Sequence, residues 1–173
     1  MIKNPNKIAE LGRERLEENW RLRAFLKAFP GHTSKINRLA DKFGREAEAE
    51  MDCRVCAACC RENCIPLSEE EIERLAGHMK MNPAEFQDQY MTTDPDGEPA
   101  LQATPCPFLH ENLCRIYKDR PEACRGYPYI DDNLVEGMVG VIERAETCPI
   151  VFEMLERLKV HLKFHQLHQN NQA

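Results

Sequence analysis

The sequence has no hydrophobic run approaching the ~18 residues a bilayer span needs. Its N-terminus, MIKNPNKIAELGRERLEENW, carries a charge every few residues and has no apolar export core. These two absences predict a cytoplasmic protein without membrane association, whose thiols stay reduced. Positive charge is also short. The formal net charge is −6, which argues against nucleic acid or an anionic membrane as a partner. Catalytic signatures are missing too: there is no Gly-rich phosphate loop, no Gly-x-Ser-x-Gly and no His-Glu-x-x-His. No histidine lies close in sequence to the Cys53–Cys60 run, so a His-activated cysteine nucleophile is not indicated. No enzyme class is positively supported. Aromatics make up only 7%, yet 42% of the 173 residues are hydrophobic, which excludes a wholly disordered chain.

Cysteine is what the chain has in abundance, with nine between Cys53 and Cys148. In a reducing compartment such a set is read as free, catalytic or metal-bound rather than as disulfides. Charge divides along the same line. Residues 1–52 hold 11 Lys/Arg against 9 Asp/Glu, whereas the remainder holds 12 against 20. The cysteine-bearing part is therefore acidic before any thiolate is counted.

The run Cys53-Arg-Val-Cys56-Ala-Ala-Cys59-Cys60 is the most informative feature. Two residues between cysteines let both thiolates reach one ion while the intervening amides turn toward sulfur. Two such pairs in succession, with a further adjacent cysteine, point to metal rather than to small buried hydrophobes. The same spacing followed by a distant Cys-Pro is that of a cubane iron–sulfur cluster, and Cys106-Pro107 and Cys148-Pro149 both supply one. Eight cysteines equally divide into two four-thiolate zinc sites. Spacing leaves both open. Arginine follows four cysteines directly, as Arg54, Arg61, Arg115 and Arg125, which suits compensation of a buried anionic site. Tyr117, Arg120 and Tyr127, close to cysteines, are expected to donate toward sulfur.

The predicted fold is mainly α with a short β-hairpin: a small metal-stabilised, cysteine-rich domain with an N-terminal helical extension. Three segments are expected. Residues 1–52 form a helical hairpin, begun by the cap Asn4-Pro5, broken at Pro30-Gly31 and resumed at Thr33 or Ser34. Its stripes, Leu22, Phe25, Leu26 and Phe29, then Ile36, Leu39, Ala40, Phe43 and Ala47, are expected to pack on the cysteine domain. A partner-binding arm is the alternative use. Residues 53–150 form the cysteine-cluster domain. Within it Ser68–Glu71 and Asn82–Glu85 each open a helix, Thr92–Gly97 is a loop, and a hairpin bends at Glu111-Asn112. Arg120-Pro121 starts a short helix carrying Cys124, and Val139, Val141 and Ile142 suggest a strand. Residues 151–173 form a C-terminal helix, opened by Cys148-Pro149, and a frayed tail.

Residues 53–150 resemble the CxxCxxCC, or YkgJ-type, cysteine-cluster family, described as chelating zinc or iron. The resemblance rests on Cys53-x2-Cys56-x2-Cys59-Cys60 and Cys106-Pro-Phe-Leu. It continues through Cys114-x-Ile-Tyr117-x2-Arg120-Pro121-x2-Cys124-Arg125-x-Tyr127-Pro128 and Cys148-Pro149-Ile150. It implies metal binding by Cys53, Cys56, Cys59, Cys60, Cys106, Cys114, Cys124 and Cys148, with zinc or iron, including a [4Fe-4S] cluster, as the cofactor. Cys64 falls outside those positions. Flagellin lysine methylases are similar to this group, which adds an iron–sulfur redox or protein-modifying component to the readings. The others are a metal-stabilised interaction module with a protein partner, and a metal chaperone. His161, His165 and His168 have helical spacing, but nothing acidic is placed to orient their rings, and a fraying helix end is the simpler reading.

Overall fold

The computed structural model describes residues 1–28, 32–94, 97–102, 105–130 and 133–164. Phe29 and the Pro30-Gly31 break lie outside these, as do His165 and His168. Helix α1 spans Pro5–Glu14, its first turn capped by the Asn4 side chain, which accepts from the amides of Asn6 and Lys7 at 3.0 and 3.3 Å. α2 (Leu16–Lys27) follows after one residue and buries Leu22 and Leu26. α3 (Thr33–Glu50) begins where the sequence places it and buries Ile36, Ala40, Phe43 and Ala47.

The cysteine run makes two single-turn helices, α4 (Cys53–Cys56) and α5 (Cys59–Glu62). Strand β1 (Ile65–Pro66) precedes α6 (Glu69–Met79) and α7 (Pro83–Tyr90). Both helices open on reciprocal capping boxes, with Ser68 paired to Glu71 and Asn82 to Glu85. β2 (Met91–Thr93) and β3 (Pro99–Leu101) then form an antiparallel pair, and β1 adds to the far edge of β3, giving the order β1-β3-β2. The segment expected to be loop throughout is thus partly strand. Its turn is held by the Glu98 amide donating to Asp94 Oδ1 at 2.9 Å and by Gly97 at φ +90°.

A second hairpin pairs β4 (Leu109–His110) with β5 (Leu113–Cys114). Its two turn residues are Glu111 and Asn112, at φ +48° and +66°, the left-handed pair a two-residue hairpin needs. A 3-10 turn at Tyr117–Asp119 leads to α8 (Glu122–Gly126), which carries Cys124. Leu67, Ile72, Leu75, Ala76, Phe86, Leu101, Phe108 and Ile116 form the core here, with Cys106 and Cys114 packed against it.

α9 (Leu134–Arg144) replaces the strand expected around Val139–Ile142. Leu134, Val135, Met138, Val141 and Ile142 are buried at the 3.6-residue period, which four residues alone cannot reveal. α10 (Pro149–His161) follows Cys148 at its N-cap and buries Val151, Leu155 and Leu158. The fold is therefore mainly α with short antiparallel hairpins.

The chain divides into two compact units, residues 53–127 and residues 1–52 with 128–173. In the latter, α3 lies along α10 and contacts α9. Gly12 permits close approach there: a Cβ would stand 2.6 Å from the Glu146 Cα. Lys159 is fully buried in the same unit, with Nζ 2.7 Å from Glu18 and 2.5 Å from Glu156. No helix among the described residues is long and apolar enough to cross a membrane.

Candidate metal centre

The cysteine run is shaped by one unusual backbone residue. α4 ends at Cys56, and Ala57 takes φ +51°, a left-handed conformation that costs a residue with a side chain on the order of 1 kcal/mol. That reversal starts α5 at Cys59 and turns the amide of Ala58 onto the Cys56 sulfur. Ala57 and Ala58 are buried, so their small side chains let the loop close on itself.

The other cysteines are brought in by backbone hydrogen bonds. The Cys106 amide donates to the Cys60 carbonyl at 2.8 Å, fixing the 106–109 segment beside the cysteine run. Cys114 is the last residue of β5, paired with Leu109, and β5 also contacts α4. Amides point at these sulfurs as well. Phe108 and Leu109 donate to Cys106, and Ile116 donates to Cys114. Main-chain N–H groups directed at sulfur two or three residues back are the donors a metal-bound thiolate requires.

Electrostatics ties the thiols together around Cys60. A hydrogen bond from Cys59 and the charges of Arg61 and Arg120 bring the Cys60 thiol down to about 7, against the effect of burial. Burial pushes Cys106 up to about 11 and Cys124 up to about 12, and the charge of Cys60 adds to both. Burial raises Cys56 and Cys114 too. Cys56, Cys59, Cys60, Cys106, Cys114 and Cys124 thus form one neighbourhood of soft donors. Among the described residues, no group of three or more Cys, His, Asp or Glu is arranged to hold a metal ion. The thiols are neighbours, not a closed shell of ligands. Their chemistry nonetheless fits a thiophilic cation, because several half-buried thiols that resist ionisation are stabilised as thiolates by bound positive charge.

The remaining candidates are placed as follows. Cys53 is exposed at the start of α4, and Cys64 is exposed just before β1. Cys148 is buried, in the unit of residues 1–52 and 128–173. Of the arginines that follow cysteines, Arg61 bears on Cys56 and Cys60 and donates to the Asn112 side chain. Arg125 instead donates to the carbonyls of Arg120 and Lys118, at 3.0 and 2.6 Å. Arg120, which follows no cysteine, is the second compensating cation. Its charge bears on Cys60, Cys114 and Cys124. Tyr127 is half-buried at the end of α8. His161 stands edge-on to Phe43 and lines a cavity of about 370 Å³ with Phe25, Ile36 and Leu39, where no cysteine contributes. The Ala58 amide is one of the intervening amides expected to turn toward sulfur, whereas the donors Phe108, Leu109 and Ile116 were not identifiable by residue type. Their only sequence signal is position, two or three places after a cysteine.

A cysteine cluster with sulfur-directed amides and two compensating arginines defines the class: a thiol-rich cation-binding domain. The chain belongs to the CxxCxxCC family, whose description reads "Putative zinc- or iron-chelating domain", and residues 52–149 match it. No curated protein and no solved structure matches the chain.

Proposed function

We propose that this chain chelates zinc or iron through its cysteine thiolates and acts as a metal-stabilised interaction module. The observation that carries the reading is the set of amide donors on Cys56, Cys106 and Cys114, within a cluster centred on Cys60. Cys53, Cys56, Cys59, Cys60, Cys106, Cys114 and Cys124 are the ligand pool of the 53–127 unit, and Cys148 completes the eight positions of the family pattern. A structural ion suits ligands carried on single-turn helices, on a tight hairpin and on a segment tied to Cys60 by a main-chain hydrogen bond, because such short elements gain their rigidity from the cross-link. Zinc would supply cross-links without redox chemistry.

A second reading, an iron–sulfur redox component, is favoured by the succession Cys53-x2-Cys56-x2-Cys59 with its distant Cys-Pro pairs. Such a cluster would supply one-electron chemistry. Purification without oxygen, followed by metal and sulfide analysis, separates the two. Zinc in a colourless protein is expected. Iron with acid-labile sulfide and broad absorbance near about 400 nm would establish the second reading instead. A preparation that takes up neither metal would overturn both.

A further inference from the structure

We propose that Arg120, held in place by stacking on Tyr117, is the positioning cation of the metal centre, setting how tightly the surrounding cysteines hold their ion. This rests on the chelating function proposed above. The Arg120 guanidinium lies over the Tyr117 ring, 4.1 Å from its centroid. Its Nε is buried and donates no hydrogen bond among the described residues. A buried N–H left without an acceptor costs free energy, on the order of 1–3 kcal/mol. Arg125, by contrast, uses its donors on main-chain carbonyls, which is how an arginine with a purely architectural task behaves. Arg120 keeps a donor in reserve beside Cys60, Cys114 and Cys124, whose thiolates are good acceptors once metal is bound.

The backbone around Arg120 is secured independently of its side chain. The carbonyls of Lys118 and Arg120 accept from Arg125, and that of Asp119 accepts from Arg74. The Glu122 amide donates to Glu71 Oε1 at 2.7 Å. Substituting the Arg120 side chain therefore leaves these anchors in place, and the effect is expected on metal rather than on folding. Lysine is only a partial substitute, because an ammonium keeps the charge but has neither the planar stack nor the Nε donor.

The test is a zinc titration of the full-length reduced protein against a competing chromogenic chelator. Zinc stoichiometry and circular dichroism at saturating zinc are recorded alongside. Arg120→Gln should weaken zinc by roughly 10- to 100-fold, and Arg120→Lys by less. Tyr117→Phe, which retains the ring, should bind as the wild type does, and Tyr117→Leu should lose affinity. At saturating zinc the Arg120→Gln protein should reach the wild-type stoichiometry and helical signal. Lys118→Gln removes the same charge from an exposed position two residues away and should leave affinity unchanged. Wild-type affinity in Arg120→Gln, or an equal loss in Lys118→Gln, overturns the proposal alone. No zinc or iron binding by the wild type would overturn the chelating function itself, and this proposal with it.

Discussion

Cys56 and Cys64 are eight residues apart and chemically identical, yet their surroundings differ in every respect that matters to metal. Cys56 is half-buried, receives an amide hydrogen bond from Ala58 and neighbours Cys60 and Arg61. Cys64 is exposed beside a short edge strand. Replacing Cys56 or Cys124 by Ser should lower bound metal or give insoluble protein, whereas Cys64→Ser should retain full metal stoichiometry. Metal analysis of the three purified variants decides it, and normal content in Cys56→Ser would remove Cys56 from the ligands. At this scale the sequence is legible where identity dictates conformation. Glu111-Asn112 sits at the hairpin bend, as expected, because a two-residue turn with both residues at positive φ favours asparagine and its like. Of the sulfur-directed amides, that of Ala58 lies inside the Cys56-x2-Cys59 spacing and was legible, whereas those after Cys106 and Cys114 were not, since every residue but proline carries the same N–H and only φ and ψ decide where it points. Arg120 was legible as a donor near the cysteines, but what places it there was not. The turn at Tyr117–Asp119, not adjacency to a cysteine, brings it to the thiols.

At the scale of elements, the capping boxes of α6 and α7 could be read directly, because the cap and its partner are three residues apart and their chemistry is specific. β2 and β3 were not, since three-residue strands hold too few side chains to establish alternation. Val139, Val141 and Ile142 suggest a strand where α9 stands because they are β-branched, and Gly137 and Gly140 weaken the helical signal. The stripes on α2 and α3 foretold burial, expected against the cysteine domain, and α3 packs along α10, more than a hundred residues on. Arg157 of α10 links the two, 2.8 Å from Glu50, 3.6 Å from Glu46 and 2.9 Å from Glu153. The hydrogen bond from Arg157 holds the Glu50 carboxyl below its ordinary value. A carboxyl depressed in the folded state adds stability above its unfolded value, which is lost as pH falls through the folded one. Glu50→Gln should therefore melt below the wild type near neutral pH, and the two melting temperatures should converge under acid. A constant difference down to pH of about 2, below both carboxyl values, would mean that the Arg157 link contributes nothing titratable.

At the scale of the whole molecule, the two compact units differ in what can hold them together. The unit of residues 1–52 and 128–173 contains long helices with a deep core, including Ile8, Leu22, Leu26, Met138, Ile142, Ile150, Met154, Leu155 and Leu158, each nearly or wholly inaccessible. Helices of ten to eighteen residues bury continuous apolar stripes there, and that burial offsets the ordering of the chain. The unit of residues 53–127 is poorer. Its strands are two or three residues long, α4, α5 and α8 are single turns, and its core cluster has eight buried residues. Small cores of this kind rarely cover their conformational entropy without a cross-link. Metal–thiolate bonds can supply the difference, because Cys56, Cys60, Cys106, Cys114 and Cys124 are scattered along the chain and meet only when it folds. Binding energy of roughly 10 kcal/mol or more per structural ion then appears as folding energy. Chelation under reducing conditions should unfold residues 53–127 cooperatively, while the helices of the other unit retain their circular dichroism and melt separately. Acid should do the same to the cysteine unit, since protonated thiols lose their affinity for metal. Hydrogen exchange resolved by segment should locate the loss of protection between residues 53 and 127. If the stripped, reduced protein kept its protection pattern and melting temperature there, the ion would not be structural, and an exchangeable, metal-handling site would become the better account of these cysteines.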